Sequence, residues 1–328
     1  MTHTTARPRA RFGDRPSLFN KIICFDLFFI LLFSGSAKRQ AQLDEFQEFF
    51  NTEKHKMLKL AKTRWLSRQH CIKRLMEQWD VLIHFFTVAS FDEVGYPPSK
   101  KKIATDILQE MKNPYNKGYC LFLEYALNFF NEYNALFQSK EVMIHKLRSL
   151  SIKLLKDVCQ NFLAEGNVDH ITTTKIDDPR LFVPLEKVFL GRKCELYISQ
   201  CPPQYLEGFK ILRKKCLDFY VTAAVDMNRR LPSLTDMQFE EMRFIDPEVA
   251  LSSAARGNLR DLPRLGARFE TPLTLDLDAL TLEWRTLPNA VPDSDKERFM
   301  NMNPESLWAE ISFFKSGNGE VSISKVYA

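Results

Sequence analysis

The chain has 328 residues, enough apolar material for one large domain or two ordinary ones, and its 11 Gly against 27 Phe argue against a β-rich fold. A formal net charge of +5 is mild at this length, so charge alone gives a weak lean toward an acidic partner and identifies none. Seven cysteines (Cys24, Cys71, Cys120, Cys159, Cys194, Cys201 and Cys216) are scattered, without C-x-x-C or zinc-type Cys/His spacing. They read as reduced thiols of an intracellular protein, mostly buried as small apolar residues.

Residues 1–21 are basic and irregular, and the apolar run IICFDLFFILLF follows at 22–33. The order of basic region, apolar run and small residues has the outline of a signal peptide. The long basic region and Asp26 inside the run argue against one, and the run is shorter than the roughly 20 residues needed to span a bilayer. Residues 1–32 are therefore expected to be unrelated to the rest, and the protein to be nuclear or cytoplasmic.

Helical spacing begins at 37–50, where Leu43, Phe46, Phe49 and Phe50 recur on one side. A basic, partly extended stretch leads to KTRWLSRQH at 62–70, and a single helix is expected from Leu66 to Phe86. Its apolar face holds Ile72, Leu75, Trp79, Leu82, Ile83 and Phe86, with Ser67 as a cap near its start. GYPPSK at 95–100 is a break. Three long helices are expected next, over Lys102–Lys112, Tyr115–Phe137 and Glu141–Leu163, the first stopped by Asn113–Pro114 and the last by EGN at 165–167. Residues 167–200 read as short extended pieces followed by a short helix from Pro184, closed by Gly191. Pro202–Pro203 open a helix to about Arg230, residues 231–292 hold several short helices, and Asp293–Phe314 holds one or two, interrupted at Asn303–Pro304. The fold expected from spacing is mainly α, a helical bundle.

The order of several of these pieces resembles the hAT superfamily of DNA transposases and the host proteins derived from them. The matching run starts at FSGSAKRQAQLDEFQEFF and continues through KTRWLSRQHCIKRLMEQWDVL and NPYNKGYCLFLEYALNFFNEYNALFQSKE. PLEKVFLGRKC, CLDFYVTAAVDMNRRLP and NPESLWAEISFFKSGNGEVSISKVYA follow, so the resemblance covers roughly residues 33–328. It implies an RNase H-like α/β core interrupted by a helical insertion. Residues 33–65 and 293–328 would then be incomplete core fragments, and 66–292 the insertion domain. The family's chemistry is metal-assisted phosphodiester transfer by an acidic triad. The resemblance places two Asp before the TRW-type motif and a Glu beyond residue 328. The expectation is a truncated, catalytically inactive protein with no cofactor and no catalytic residue of its own.

Among 53–75, Lys54, Lys56, Lys59, Lys62, Arg64, Arg68, Lys73 and Arg74 face only Glu53 as an opposing charge. Such a run contacts phosphates salt-dependently, and a Trp within it offers a stacking surface for an unpaired base, worth roughly 1–3 kcal/mol. In the resembled family this Trp lies near the active site and helps hold DNA. The nucleic-acid-binding candidates are Lys62, Arg64, Trp65 and Arg68. The competing reading packs Trp65 into the core at a helix start, with the lysines as a solvated face.

Other acidic residues have plainer readings. Asp276 and Asp278 would share one face of a strand and could share a cation, but a solvated edge or a cap accounts for them. Asp177, Asp178, Asp169 and His170 read as turn or loop residues, and Glu240 and Glu241 as exposed on a short helix. Adjacent helical positions diverge by about 100°, which separates His70 from Cys71. Trp79, Phe85 and Phe86 read as core, and Phe122, Tyr125, Phe129, Phe130 and Tyr133 as bundle packing. DNA and a protein partner on exposed helix faces are the partner classes weighed; membrane and small-molecule substrates are not expected. A helical interaction scaffold without DNA binding, or a partial gene product, are the alternative functional readings.

Overall fold

The computed structural model describes residues 37–53, 65–91, 97–138, 143–236, 238–256 and 277–311. Among them the chain is mainly α. The described residues form no sheet, and among them one antiparallel bridge joins Leu163 to Phe182. No described helix is long and apolar enough to cross a membrane. The chain forms two compact units, one of residues up to Asn131 with Pro184–Asp218, the other of Glu132–Val183 with Phe219 onward.

The first unit opens with α1 (Ala37–Phe49), whose buried side is Leu43 and Gln47. Phe49 is 83% exposed, against the expectation that it shares the apolar face. Asn51 in the left-handed region (φ 50°) ends this helix, and the Thr52 amide and hydroxyl both donate to the Gln47 carbonyl. The single helix expected over Leu66–Phe86 is instead two, α2 (Trp65–Glu77) and α3 (Trp79–Phe91). The break falls at Gln78, which is buried and donates its amide to the Glu53 carbonyl. Ser67 lies inside α2 and so does not cap it. Trp79, Leu82, Phe85 and Phe86 are buried as expected, and Phe46 of α1 meets the edge of Phe85 at 5.7 Å.

Helix α4 (Pro98–Lys112) packs on α3, and α5 (Pro114–Phe137) follows after one residue. Asn113 serves both ends of that junction. Its amide N–H closes α4 on the Glu110 carbonyl, and its side-chain oxygen accepts from the Tyr115 amide in the first turn of α5. Pro114 sits where a missing N–H costs nothing.

After α5 a 3₁₀ turn, Ile144–Lys146, opens α6 (Leu147–Cys159), so the helix expected from Glu141 begins later. A short α7 (Glu165–Val168) follows. The helix expected from Pro184 to Gly191 is only a 3₁₀ turn, Leu185–Lys187, and Gly191 opens rather than closes a helix, α8 (Arg192–Gln200). Its φ of +90° and the 2.6 Å that would separate an added Cβ from Tyr125 Cγ leave room for glycine alone. A 3₁₀ turn at Pro203–Tyr205 leads into α9 (Leu206–Arg230).

In the second unit α10 (Pro232–Thr235), α11 (Gln238–Glu241), a 3₁₀ turn at Met242–Ile245 and α12 (Pro247–Leu251) are all short, as the Pro-rich sequence predicts. Helices α13 (Leu277–Ala290), α14 (Asp293–Met300) and α15 (Pro304–Ile311) complete it. Trp284, Leu287, Val291, Phe299, Leu307, Trp308 and Ile311 form a separate apolar cluster with Ala250 and Leu251. Residues 312–328, in the stretch expected to start a core segment, lie outside the described residues.

Candidate nucleic-acid interface

Lys62 and Arg64 lie outside the described residues; Trp65 and Arg68 stand in the first turn of α2, and only their backbone is described. From Gln69 onward the helix has two clear sides. Cys71, Ile72 and Leu75 are buried at i, i+1 and i+4, while His70, Lys73 and Glu77 are exposed at i, i+3 and i+7. One turn of helix therefore sends His70 outward and Cys71 inward, which removes them as a nucleophile pair. No carboxylate occurs between Trp65 and Met76, so the described outward side, His70 and Lys73, carries no negative charge until Glu77.

What fixes α2 is an amide ladder. Gln69 donates its side-chain amide to Asn128 Oδ1 of α5 at 2.9 Å, and its side-chain oxygen accepts from Asn131 one turn further along. Asn131 is buried. A doubly bonded amide between two helices resists both sliding and rotation, because neither helix can move without leaving a half-buried donor unpaired. The ladder sits one turn from Trp65 and so fixes the axis on which the candidate segment enters.

Elsewhere in this unit many cations have carboxylate partners. Arg213 forms a two-pronged pair with Glu195 at 2.7 Å on both oxygens, and Lys193 meets Glu124 at 2.7 Å. Lys210 and Lys214 pair with Glu207 and Asp218 along α9. Lys117 lies 3.4 Å from Asp80, with the rings of Trp79 and Tyr197 at 5.8 and 5.9 Å. Such neutralised sites have less to offer a phosphate than an outward cationic turn.

The remaining candidates fall into structural roles. Asp276 lies outside the described residues, and Asp278 is exposed in the first turn of α13 rather than on a strand. Asp178 caps the 3₁₀ turn Pro179–Leu181, and the hydrogen bonds from the Arg180 side chain and backbone hold its carboxyl down to about 2. Asp169 is exposed 3.8 Å from Lys156. Glu240 receives Arg243 at 2.7 Å and Arg148 at 3.4 Å. Among the described residues no group of three or more His, Cys, Asp or Glu side chains is placed to hold a metal ion, so the described carboxylates do not fit a two-metal centre. Cys71, Cys120, Cys159, Cys194 and Cys216 are buried free thiols, and Cys201 is half-buried. Burial pushes the Cys159 and Cys194 thiols up to about 12, which makes them poor nucleophiles.

Several buried polar residues were not among the candidates, Arg256 and His145 among them. Arg256 is 4% exposed and His145 3%. Arg256 lies in the irregular stretch and His145 in the expected long helix, and neither position carries a local signal of burial. No family model, no curated protein and no solved structure matches this chain.

Proposed function

We propose that this chain is an hAT-transposase-derived helical domain that binds nucleic acid through the segment entering α2 and does not itself cut DNA. The observation that carries the proposal is the cationic outward side of α2, held in place by the Gln69–Asn128–Asn131 ladder. Lys62, Arg64 and Arg68 supply phosphate contacts, Trp65 a base-stacking surface, and Lys73 extends the cationic side by a turn. Binding of this kind weakens steeply with salt, because each phosphate contact releases a counterion.

The test is binding of the full chain to single-stranded and hairpin DNA at low and moderate salt. Trp65→Ala, Arg64→Ala with Arg68→Ala, and Lys73→Glu are compared with wild type. Weakened binding in all three, with a shallower salt slope in the charge variants, supports the proposal. No wild-type binding, or equal binding by the variants, refutes it. Specific cleavage on incubation with Mg²⁺ or Mn²⁺ would refute the second half of it.

A second reading, a protein-interaction scaffold, has its own observation. Phe49 at the end of α1 is 83% exposed, and Val88 and Phe91 on α3 are 55% and 76% exposed. Large side chains left in water on neighbouring helices are what a protein partner would cover. Loss of DNA binding in the wild type, together with a partner lost on Phe49→Ser and Phe91→Ser, would favour the scaffold.

A further inference from the structure

His145 belongs to the 3₁₀ turn Ile144–Lys146 and its side chain is 2% exposed. Neither ring nitrogen has a hydrogen-bond partner. A neutral imidazole carries one N–H and one acceptor nitrogen, so both are buried here without compensation. An apolar residue of similar size would fill this place at lower cost, so packing alone does not account for a histidine. The nearest acid is Asp246, whose Oδ2 lies 3.9 Å from Nε2, beyond hydrogen-bond reach. The other oxygen of that carboxylate is already engaged: Oδ1 accepts from the Glu248 amide at 3.0 Å and caps α12.

The turn packs on α6, on α11 and on the Met242–Ile245 turn. The charged residues on these elements are Lys146 in the turn itself, Arg148, Lys153, Lys156 and Asp157 on α6, Glu240 and Glu241 on α11, Arg243 in the second turn, and Asp246 beyond it. Arg148, Glu240 and Arg243 form their own ion cluster. Lys153 pairs with Asp157 and Lys156 with Asp169; the charges that act on the imidazole are Asp246, which favours its charged form, and Lys146, which opposes it. Burial outweighs Asp246, and Lys146 acts in the same direction as burial, so the imidazole of the folded chain binds a proton less readily than an exposed histidine.

The segment beside it is connected to the Trp cluster. Phe244 meets the rings of Trp284 and Trp308 at 6.2 and 6.5 Å, and Trp308 Nε1 donates to the Ile245 carbonyl at 3.0 Å. Anything that lifts Met242–Asp246 from the His145 turn therefore also disturbs Trp308.

We propose that His145 is an acid-sensitive latch: proton uptake at its imidazole releases the Met242–Leu251 segment from the turn that opens α6. The sign follows from linkage. A group that binds protons less readily when folded contributes its full stability above its ordinary value of 6.5, and loses it as pH falls toward the folded value. Release is therefore promoted by mild acid and absent at neutral pH.

The experiment follows hydrogen exchange of peptides spanning 242–251 in the full chain between about pH 7.5 and 5.5, corrected for intrinsic exchange. In wild type the opening equilibrium rises as pH falls, by up to about tenfold per pH unit, the limit for one proton. In His145→Gln, which keeps a polar side chain that does not titrate, the rise disappears. Equal pH slopes in the two proteins overturn the proposal. If the variant does not fold, a wild-type NMR titration of the imidazole decides: a midpoint below 6.5 supports the latch, and one at or above it overturns it.

Discussion

Arg256 is a buried charged side chain that bonds two helices of the second unit. Its guanidinium donates from Nε to the Val249 carbonyl at 3.3 Å, from Nη2 to the Ala250 carbonyl, and from Nη1 to the Trp284 carbonyl. It also lies over the Trp284 ring at 3.9 Å. Two of the acceptors belong to α12, at the negative end of its dipole, and the third to α13, so one side chain fastens two helices. Burial lowers its proton affinity from 12.5 to about 10, which at about 1.4 kcal/mol per unit sets roughly 3 kcal/mol against the charge. That penalty is already paid in the native state, and Arg256→Ala removes it. The variant also leaves three carbonyls unpaired at about 1–3 kcal/mol each and removes a desolvated cation–π contact worth about 2 kcal/mol. The expected net loss is about 2–8 kcal/mol, with the lower half of that range expected if water reaches the freed carbonyls. Arg256→Met, which keeps the stem and sheds the charge, should lose less than Arg256→Ala. Hydrogen exchange over 277–311 is the assay, and a loss of about 3 kcal/mol reads as roughly a hundredfold faster exchange by global or sub-global opening. Exchange within about twofold of wild type in Arg256→Ala would refute the reasoning. The guanidinium would then be no fastener, and the burial of its charge would have cancelled its bonds.

Two further outcomes follow from the same geometry. Gly191→Ala combines a φ of +90° with a Cβ 2.6 Å from Tyr125 Cγ, and should cost about 2–4 kcal/mol in urea unfolding; Gly166→Ala, with nothing within 4 Å, should stay near wild type. Brief alkylation of the native chain at neutral pH should spare Cys159, Cys194 and Cys216, whose burial favours the neutral thiol, and mark Cys201; peptide mapping that finds Cys194 labelled as fast as Cys201 would contradict the burial described here.

Where the sequence was legible, the reason was a run of local signals in agreement. For α5, apolar spacing and the Asn113–Pro114 break gave limits within one residue of those found, even with Gly118 inside the helix. Local signals failed wherever a distant partner decided the outcome. No Gly or Pro marks the division of α2 from α3, which comes with an internal Gln whose amide reaches Glu53. Helix α8 begins with Arg192 and Lys193 at the wrong end for its dipole, so charge argued against it. It is held by tertiary bonds, Glu195 accepting from the Leu190 amide and from Arg213 on α9. Gly191 was read as a helix end because a left-handed glycine usually stands there; here a positive φ with an extended ψ lets the chain pass Tyr125 and start a helix.

The candidate site divides along the same line. The outward side of α2 follows from helical spacing alone, since buried Cys71, Ile72 and Leu75 leave His70 and Lys73 in solvent. The ladder that orients it does not, because Gln69 and Asn131 are separated by 62 residues and carry no mutual pattern. This separates the DNA reading from a generic basic helix. A solvated charged face needs no fixed axis, whereas a Trp that stacks on a base must be presented at a defined angle. If nucleic acid is held here, Gln69→Leu with Asn131→Leu should weaken binding even though neither residue is a phosphate contact, and binding lost on Trp65→Ala should not fall much further in the triple variant. Additive losses would mean that the ladder and Trp65 act independently, and the ladder would then be packing alone.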